Sequence, residues 1–395
     1  MFIHFLKLPY YYYYLLKYIY IIMKLTISKE ILLDQLVRVI GAIEKKHTSK
    51  ILENILIHVT ENNLQLVGTD LEIEMSANLE IQAESTGKIT VPARKLFDIC
   101  KALPADCFIL LEIDDKNKNK IEIKGLRSRF ELATLPAGEF PLLDDIPIKQ
   151  EITLPEKRLK YLLEKVSFSM ANQDVRYYLN GLLLEINKDN KILAVSTDGH
   201  RLAISEFSSD EKVTNDSELK IIVPRKGILE LTKLLDNTSE LPVTLQISDN
   251  HIRVHKDNIR FTSKLIDGKY PDYQAAIPNN SSHIIELNRE QFKDTLSRVA
   301  ILSNEKFRGI KLRLNDGVMI LLSNNPENES AEEEIDINYR GELFEIGFNV
   351  TYMLEAVNHL EGDIIKLELS TPDSSALLHS NVDPATRYVV MPIRL

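Results

Sequence analysis

The feature that most limits how this chain can fold is an internal repeat, because three stretches, starting at Lys24, Glu151 and Ile285, begin in the same way. Each stretch reads as a short alternating strand, then a residue that favours a helix start, then an amphipathic helix. The corresponding apolar positions are Ile27, Leu32 and Leu36, then Leu154, Leu159 and Leu163, then Leu287, Phe292 and Leu296. A pattern repeated at this spacing predicts three copies of one structural unit.

A second correspondence lies later in each copy, where Val91, Val223 and Ile346 each open a strand end, a break and another helix. Alternating apolar residues predict further strands between the helices, and one corresponding set starts at Leu64, Ile192 and Val318. The six predicted helices span residues 28–46, 93–103, 156–170, 225–236, 289–300 and 348–360. We therefore predict an α+β fold of three repeated domains, each with about two helices and eight strands, with sheets on one side and helices on the other.

The chain of 395 residues is long enough for three domains, which we expect to span residues 23–148, 149–282 and 283–395. Residues 1–22 form an apolar extension that reads as a marginal membrane span or a signal anchor. Pro9 interrupts this extension, and the consecutive tyrosines at 10–14 would be a poor hydrocarbon core. We therefore expect a mis-assigned start, with Met23 as the initiator.

The charge of the chain is divided between the helices and the rest. The formal net charge is -10, whereas the six predicted helices together carry +6. A basic helical layer on an acidic body favours a protein that presents helices to phosphates and repels nucleic acid elsewhere. The sequence contains no helix-turn-helix or zinc-finger pattern, so contacts to the nucleic-acid backbone are expected instead of base readout.

The motifs of common catalytic and cofactor sites are missing, including the P-loop, the dinucleotide fingerprint and the nucleophile elbow. The segment from Thr197 to Arg201 pairs an acid with an imidazole, but Asp198 and Asp70 occupy equivalent repeat positions, which favours a structural turn. Cys100 and Cys107 lack a zinc-ligand spacing and are expected to be buried apolar side chains in a reducing cytosol. We predict no catalytic residues, no metal and no cofactor, and a cytoplasmic location.

Seven strings carry a resemblance that covers the chain in order from Met23 onward. They are FSMANQDVRYYLNG (168–181), TDGHRLA (197–203), VPRKG (223–227), FTSKL (261–265), AILSNEKFRG (300–309), GFNV (347–350) and YVVMPIRL (388–395). Together they resemble the β sliding clamps of bacterial DNA polymerase III. The resemblance implies a head-to-tail homodimer of DNA-clamp domains, closed into a ring with helices around the hole and sheets outside. It implies a non-catalytic processivity factor that encircles duplex DNA without sequence preference.

The resemblance also implies three sets of site residues, the first of which faces DNA. That set is Lys46, Arg94, Gln173, Tyr177, Tyr178, Arg225 and Lys226. Two positions depart from the family pattern: Lys46 stands where many members carry Arg, and Asn172 stands where a His often lies. A lysine keeps the charge at that position but lacks the planar fork of arginine.

The second set lines a pocket that binds short peptide motifs of partner proteins. It contains Leu179, Thr197, Gly199, His200, Arg201, Leu202, Pro271, Asn349, Tyr352, Val389, Met391, Pro392 and Leu395. The implied partners are the replicative polymerase subunit, the clamp loader and other proteins with a clamp-binding motif, and no membrane. Ala275 and Ala276 stand where the family often has Arg and an aliphatic residue, so we expect a shallower pocket wall here.

The third set forms the dimer interface. Lys95, Ile99, Leu103, Arg127, Arg129 and Phe130 of one chain are implied to face Ile301, Leu302 and the acidic stretch 327–334 of the other. Two other readings stay open. One is a scaffold that binds peptides without encircling DNA, and the other is a nuclease or nucleotidyltransferase, which would need clustered carboxylates for metal ions.

Overall fold

The computed structural model describes residues 21–114, 119–143, 146–187, 191–209, 218–279 and 281–394. Within these residues there are six α-helices and 24 β-strands. The helices are α1 (Lys29–Val39), α2 (Ala93–Ala102), α3 (Glu156–Val166), α4 (Arg225–Leu234), α5 (Arg289–Val299) and α6 (Val350–His359). The prediction of two helices and eight strands for each of three repeats is therefore confirmed. Residues 1–20 of the proposed mis-assigned start, and Leu395 of the predicted pocket, lie outside the described residues.

The strands follow the same order in each repeat. In the first they are β1 (Ile21–Ser28), β2 (Asn54–Val59), β3 (Asn63–Thr69), β4 (Ile73–Glu80), β5 (Gly87–Pro92), β6 (Phe108–Asp114), β7 (Lys120–Gly125) and β8 (Ser128–Ala133). In the second they are β9 (Gln150–Pro155), β10 (Gly181–Ile186), β11 (Lys191–Thr197), β12 (Arg201–Ser208), β13 (Leu219–Pro224), β14 (Pro242–Ile247), β15 (His251–Lys256) and β16 (Ile259–Lys264). In the third they are β17 (His283–Asn288), β18 (Gly309–Asn315), β19 (Val318–Asn324), β20 (Ser330–Asp336), β21 (Phe344–Asn349), β22 (Ile364–Leu369), β23 (Ala376–Ser380) and β24 (Arg387–Val390).

Two compact units divide the chain, and their boundaries do not follow the repeats. The first unit runs to Glu151 and also includes Val243–Lys264 from the second repeat. It contains α1 packed on α2, a four-stranded sheet in the order β1-β6-β7-β8, and an eight-stranded sheet in the order β5-β2-β3-β4-β16-β15-β14-β9. The strand β9 begins at Gln150 in this unit, and its residues from Ile152 onward are assigned to the second unit. Every strand pair resolved in the two sheets is antiparallel.

The second unit comprises Ile152–Pro242 and the chain from Leu265 onward. Its eight-stranded sheet has the order β13-β10-β11-β12-β24-β23-β22-β17, and its four-stranded sheet has the order β20-β19-β18-β21. In this unit α3 packs against α4, and α5 packs against α6. Each eight-stranded sheet therefore joins two halves of four strands, at the β4–β16 pair and at the β12–β24 pair.

The apolar positions that revealed the repeat form the core under the first helix of each repeat. Leu32 and Leu36 of α1, Leu159 and Leu163 of α3, and Phe292 and Leu296 of α5 are all at most 2% exposed. Burial of such side chains contributes about 1.5–3 kcal/mol each to folding. The amphipathic pattern therefore predicted the helix faces correctly.

The ends of the predicted helices were less accurate than their faces. The helix predicted over 28–46 ends at Val39, and only a short 3₁₀ turn, Ile40–Ala42, continues it. Ile43 is already extended, with φ -104° and ψ 123°, so Lys46 lies in a bend and not on a helix. With the observed bounds the six helices still carry a net charge of +6. Cys100 and Cys107 are free and buried as predicted, and burial raises the pKa of the Cys100 thiol to about 12.

Gly181 offers a test of how tightly the strands of the second unit approach each other. A Cβ at this position would lie 2.6 Å from the carbonyl oxygen of Val223 on the neighbouring strand β13. Because backbone atoms cannot move aside cheaply, we expect Gly181→Ala to lower the free energy of unfolding by about 2 kcal/mol. Gly138 has no atom within 4 Å of an added Cβ and gives the matched control. Chemical denaturation of the two variants checks this, and equal stability of both would contradict it.

Candidate functional site

An apolar cluster lies on one face of the eight-stranded sheet of the second unit. It consists of Leu183, Val195, Leu202, Ile204, Ile222, Tyr270, Leu377 and Val389, all of which are buried. The Ser196 hydroxyl donates to the carbonyl of Val166 at the end of α3, so its neighbours Val195 and Thr197 point to the face turned away from that helix. The predicted pocket residues Leu202 and Val389 lie directly opposite each other across the β12–β24 pair.

Half-buried side chains pack against this cluster, and the cluster together with these side chains is called the groove. These half-buried side chains are Tyr178, Leu193, Ile266, Tyr273 and Ile277. Tyr178, which the resemblance places on DNA, packs against the cluster here, and its ring centroid lies 5.7 Å from that of the exposed Tyr177. The other four border residues were not predicted from the sequence. The only available signal was their apolar character in a segment that lacks regular periodicity.

The turn between β11 and β12 is held by its own side chains. The Asp198 carboxylate accepts hydrogen bonds from the backbone N–H groups of His200 at 2.9 Å and Arg201 at 3.1 Å. The Thr197 hydroxyl accepts from the N–H of Gly199 at 3.0 Å, and Gly199 has a left-handed φ of 88°. Asp70 caps the equivalent turn of the first unit in the same way. The prediction of a structural turn at both aspartates is therefore confirmed.

Arg201 is enclosed between two aromatic rings. Its guanidinium carbon lies 4.6 Å from the ring centroid of Tyr352 and 5.3 Å from that of Phe168. The same group donates to Asp198 at 3.1 Å, to the carbonyl of Phe168 at 2.8 Å, and to Glu355. The side chain is only 11% exposed. These contacts position the β11–β12 turn against α6 and leave little of the guanidinium free to bind a partner.

The last residues of the chain run beside this turn. The N–H of Met391 donates to the carbonyl of His200 at 2.9 Å, and the N–H of Ile393 donates to the carbonyl of Gly347 at 2.8 Å. Met391 is 47% exposed and Pro392 is half-buried, so both predicted pocket residues border the groove with accessible surface. The rings of His200 and Tyr352 are stacked, with 6.4 Å between their centroids.

The remaining predicted pocket residues differ in what they can contact. Leu179 is 2% exposed and belongs to the core, whereas Pro271 is exposed. The amide oxygen of Asn349 caps α6 by accepting from the N–H groups of Thr351 at 2.9 Å and Tyr352 at 3.3 Å. Burial raises the pKa of the Tyr352 phenol. Asn349 is therefore a positioning residue for Tyr352.

Two arginines of the predicted nucleic-acid surface occupy similar places in the two units, one residue apart, since Arg94 is the second residue of α2 and Arg225 is the first of α4. Arg94 and Arg225 each lie in the first turn of a helix that follows a proline, Pro92 or Pro224. Arg94 donates to the carbonyl of Ile43 at 3.3 Å, and Arg225 donates to that of Met170 at 2.8 Å. Each guanidinium is thereby held over the chain that leaves the first helix of its repeat.

A short loop links the predicted DNA-facing residues to the groove. Gln173 is exposed and left-handed with a φ of 58°, and Asp174 pairs with Arg176 at 2.9 Å. The hydrogen bond from Arg176 holds the pKa of the Asp174 carboxyl at about 2. Arg176 also donates to the carbonyl of Asp198 at 3.0 Å, in the turn that borders the groove. Arg176 was not predicted from the sequence, because its partner Asp198 lies 22 residues further along the chain.

The residues predicted for the dimer interface lie on two sheet edges, one α-helix and the turns near them. Arg129 and Phe130 are on β8, which ends its four-stranded sheet, and the acidic stretch lies largely on β20, which ends the other one. Lys95 is exposed and Ile99 half-buried on α2, while Arg127 is exposed in the turn before β8. Two further residues lie in a 3₁₀ turn, where Ile301 is 75% exposed and Leu302 is half-buried.

Leu103 differs from the other residues of this set. It is only 5% exposed, and its side chain fills the space beside Gly125. The carbonyl of Leu103 accepts a hydrogen bond from the buried ammonium of Lys29. This leucine therefore has little surface to offer to a second chain.

In the part of the chain that the structure describes, no group of three or more His, Cys, Asp or Glu side chains is placed to hold a metal ion. None of the helices formed by those residues is long and apolar enough to cross a membrane.

Comparison with known proteins accounts for nearly the whole chain. Residues 23–144, 153–272 and 274–394 match the N-terminal, central and C-terminal domains of the DNA polymerase III beta subunit. The beta sliding clamp of Proteus mirabilis is 46% identical over 374 residues, which are 94% of this chain and all of that protein.

Solved structures agree with the sequence matches. The sliding clamp of Pseudomonas aeruginosa bound to griselimycin matches with a TM-score of 0.89 and 43% identity, over 94% of this chain and 100% of that one. The sliding clamp of Bartonella birtlesii bound to griselimycin matches with a TM-score of 0.90 and 34% identity, over the same shares of the two chains. With three matching domains in order and these full-length relatives, the chain belongs to the DNA polymerase III beta subunit family, the beta sliding clamps.

Proposed function

We propose that two copies of this chain close head to tail into a ring around duplex DNA and tether the replicative polymerase to it. The observation that carries this proposal is the pair of unmatched half-sheets. Both half-sheets of the second repeat are joined to a half-sheet of another repeat within the same chain. In contrast, β8 and β20 each lie at the edge of a sheet that has only four strands among the described residues. A long open strand edge is a template for pairing with another chain.

The charges on these two edges are complementary. Arg127 and Arg129 lie at or beside β8, and Glu332, Glu333 and Glu334 lie on β20. Opposite charges steer association and fix orientation, so the β8 edge of one copy should meet the β20 edge of the other. Such a heterologous contact made twice closes a ring of two chains.

The internal joins predict the register of this contact. The strands β16 and β24 are the last strands of their repeats, as β8 is of the first. Arg260-Phe261 of β16 and Arg387-Tyr388 of β24 therefore correspond to Arg129-Phe130 of β8. At the second join, Tyr388 pairs with Ala203 of β12. The counterpart of Ala203 is Ala331, because each is paired with a serine, Ser196 or Ser323, whose hydroxyl donates to the end of the preceding helix. We therefore expect Phe130 opposite Ala331, with Arg129 opposite Glu332.

A closed ring explains processivity without any catalytic step in this chain. A ring cannot leave the duplex sideways, so a polymerase bound to it stays at a high effective concentration near its template. The net charge of +6 on the helices attracts the phosphate backbone, and the acidic remainder of the chain limits tight contacts that would stop sliding. We place the protein in the cytoplasm with the DNA that it encircles.

The groove beside Leu202 and Val389 is the proposed site for partner peptides. Its apolar floor and the flexible, half-exposed Met391 suit short apolar motifs that differ between partners. Two related clamps are solved with griselimycin bound, so we propose this compound as a ligand to test on this chain. Ala275 and Ala276 are exposed and small, so we expect weaker binding than in relatives that carry long side chains there.

Lys46 gives a graded test of the DNA-facing surface. Lys46 is exposed beyond α1, and we expect Lys46→Gln to weaken DNA binding modestly at every sequence because one phosphate contact is lost. The slope of log K against log salt should fall by roughly one. Lys88→Gln removes the same charge from an exposed position on β5 and is the control. Equal slopes for both variants in a fluorescence titration would contradict this placement.

Topology is the decisive test of the proposed function. The chain is loaded onto nicked circular duplex DNA by a clamp-loading ATPase with ATP, and the circle is then cut. We expect the protein to stay with circles and to run off the cut DNA during gel filtration. Equal retention on both forms, or no loading at all, would overturn the ring and favour the peptide-binding scaffold.

A further inference from the structure

A cavity of about 420 Å³ adjoins the groove on the same face of the sheet. Its apolar wall is formed by Leu193, Ile204, Tyr273 and Ile277, and all four side chains also belong to or border the apolar cluster of the groove. The two spaces therefore share one continuous wall of side chains.

The register of the β12–β24 pair explains why they are continuous. Leu202 pairs with Val389 in the groove, and two residues further along Ile204 pairs with Arg387. Residues two apart on a strand point to the same face, roughly 7 Å from each other. Arg387 thus lies beside the groove, in the next row of the same sheet face.

Arg387 differs from the other charged residues that line this cavity. Glu185 accepts a hydrogen bond from the Tyr273 hydroxyl at 3.1 Å and pairs with Lys220 at 3.3 Å, and Glu206 pairs with Lys191 at 3.7 Å. Among the described residues Arg387 has no ion pair, and its Nε, which is shielded from solvent, has no hydrogen-bond partner. A half-buried guanidinium without an acceptor favours a ligand that supplies one.

We propose that this cavity is a flank site, in which Arg387 binds a carboxylate of the residues next to the apolar motif of a partner peptide. This proposal rests on the proposed function of the groove as a peptide site. A carboxylate accepts two parallel hydrogen bonds from a guanidinium, which gives both affinity and a defined geometry. The apolar wall accommodates the carbon chain of the same flanking residues.

The surroundings of Arg387 favour a peptide carboxylate over nucleic acid. Glu185 and Glu206 also line the cavity and would repel a chain of phosphates. A single carboxylate, in contrast, matches the single unpaired guanidinium, and the groove supplies an adjoining apolar site for the rest of the peptide. The flank site would therefore rank partners that share one apolar motif by the acidity of the residues beside it.

The test compares peptides that differ only in this flank. A hexapeptide that binds the groove is selected from a random library and extended at either end with Ala-Asp or with Ala-Asn. Fluorescence polarisation should give a dissociation constant about tenfold lower for the Asp peptide at one of the two ends, since a charge-assisted hydrogen bond exceeds a neutral one. Arg387→Gln should remove this preference and leave the affinity of the unextended hexapeptide unchanged.

Arg340→Gln is the matched control, because Arg340 is an exposed arginine outside the cavity. It should preserve the preference for the Asp peptide. Equal affinities of the Asp and Asn peptides at both ends, or a preference that survives Arg387→Gln, would overturn the flank site while the groove stands. Failure of every hexapeptide to bind would overturn the groove, and the flank site with it.

Discussion

Ile301→Asp is expected to yield a folded protein that no longer forms a dimer at micromolar concentration. Ile301 is 75% exposed in a single chain, so the substitution should leave the fold intact. Burying an isoleucine in an interface contributes about 1.5–3 kcal/mol. A carboxylate buried without a partner there costs several kcal/mol more, and a ring contains the contact twice. We expect the dissociation constant of the dimer to rise by at least about 100-fold.

Sedimentation velocity and retention on circular DNA check this result together. The monomeric variant should fail to stay on circles, because retention in the proposed mechanism depends on closure alone. Leu343→Asp, at a residue of the same repeat that is 63% exposed and outside the predicted interface, should remain dimeric. A dimeric Ile301→Asp protein would place the contact between chains elsewhere.

Arg201→Ala is expected to lower the stability of the second unit strongly. The substitution removes the group between the rings of Phe168 and Tyr352, and it leaves the carboxylates of Asp198 and Glu355 without their partner. Breaking a largely buried ion pair from one side costs about 3–5 kcal/mol. We expect a loss of about 3 kcal/mol, because the Glu355 side chain is 37% exposed and water will partly replace the arginine.

Two companion variants separate the role of this arginine from the mere loss of a charge. Arg201→Lys keeps the charge but not the planar fork, and should lie between wild type and alanine. Arg313→Ala removes a surface arginine that is 39% exposed and paired with Glu345, and should cost less than about 1 kcal/mol. Chemical denaturation measures the free energy of unfolding of each variant, and griselimycin titration measures its ligand affinity. If Arg201→Ala were as stable as Arg313→Ala, the enclosed guanidinium would not support the turn.

The sequence predicted the helices and strands of each repeat well, because their apolar patterns depend on residues that are close together in the chain. Helix faces depend on residues three or four apart, and the predicted residues such as Leu159 and Phe292 are indeed buried. The prediction of which residues correspond was wrong by one residue for one strand of the third repeat. The sequence pattern matches Val318 with Ile192, whereas the equivalent hydrogen bonds of Ser196 and Ser323 show that Met319 is the counterpart of Ile192.

Features that join distant segments could not be predicted from the residues alone. The register that sets Arg387 beside the groove pairs two strands more than 180 residues apart. The enclosure of Arg201 needs Phe168 and Tyr352, which belong to different repeats. The burial of Leu103 beside Gly125 likewise depends on a residue outside the helix, so the helix pattern alone could not show it.

The join between half-sheets has a consequence for how the chain can be divided. The strands β14, β15 and β16 come from the second repeat in sequence but belong to the first compact unit, where β16 completes the sheet of β4. A fragment that contains the second repeat alone would split that join and also the one at β12–β24, exposing two strand edges at once. Such a fragment should aggregate, because unpaired edges recruit other chains. The segment that is repeated in the sequence and the segment that forms a compact unit are thus different parts of the same polypeptide.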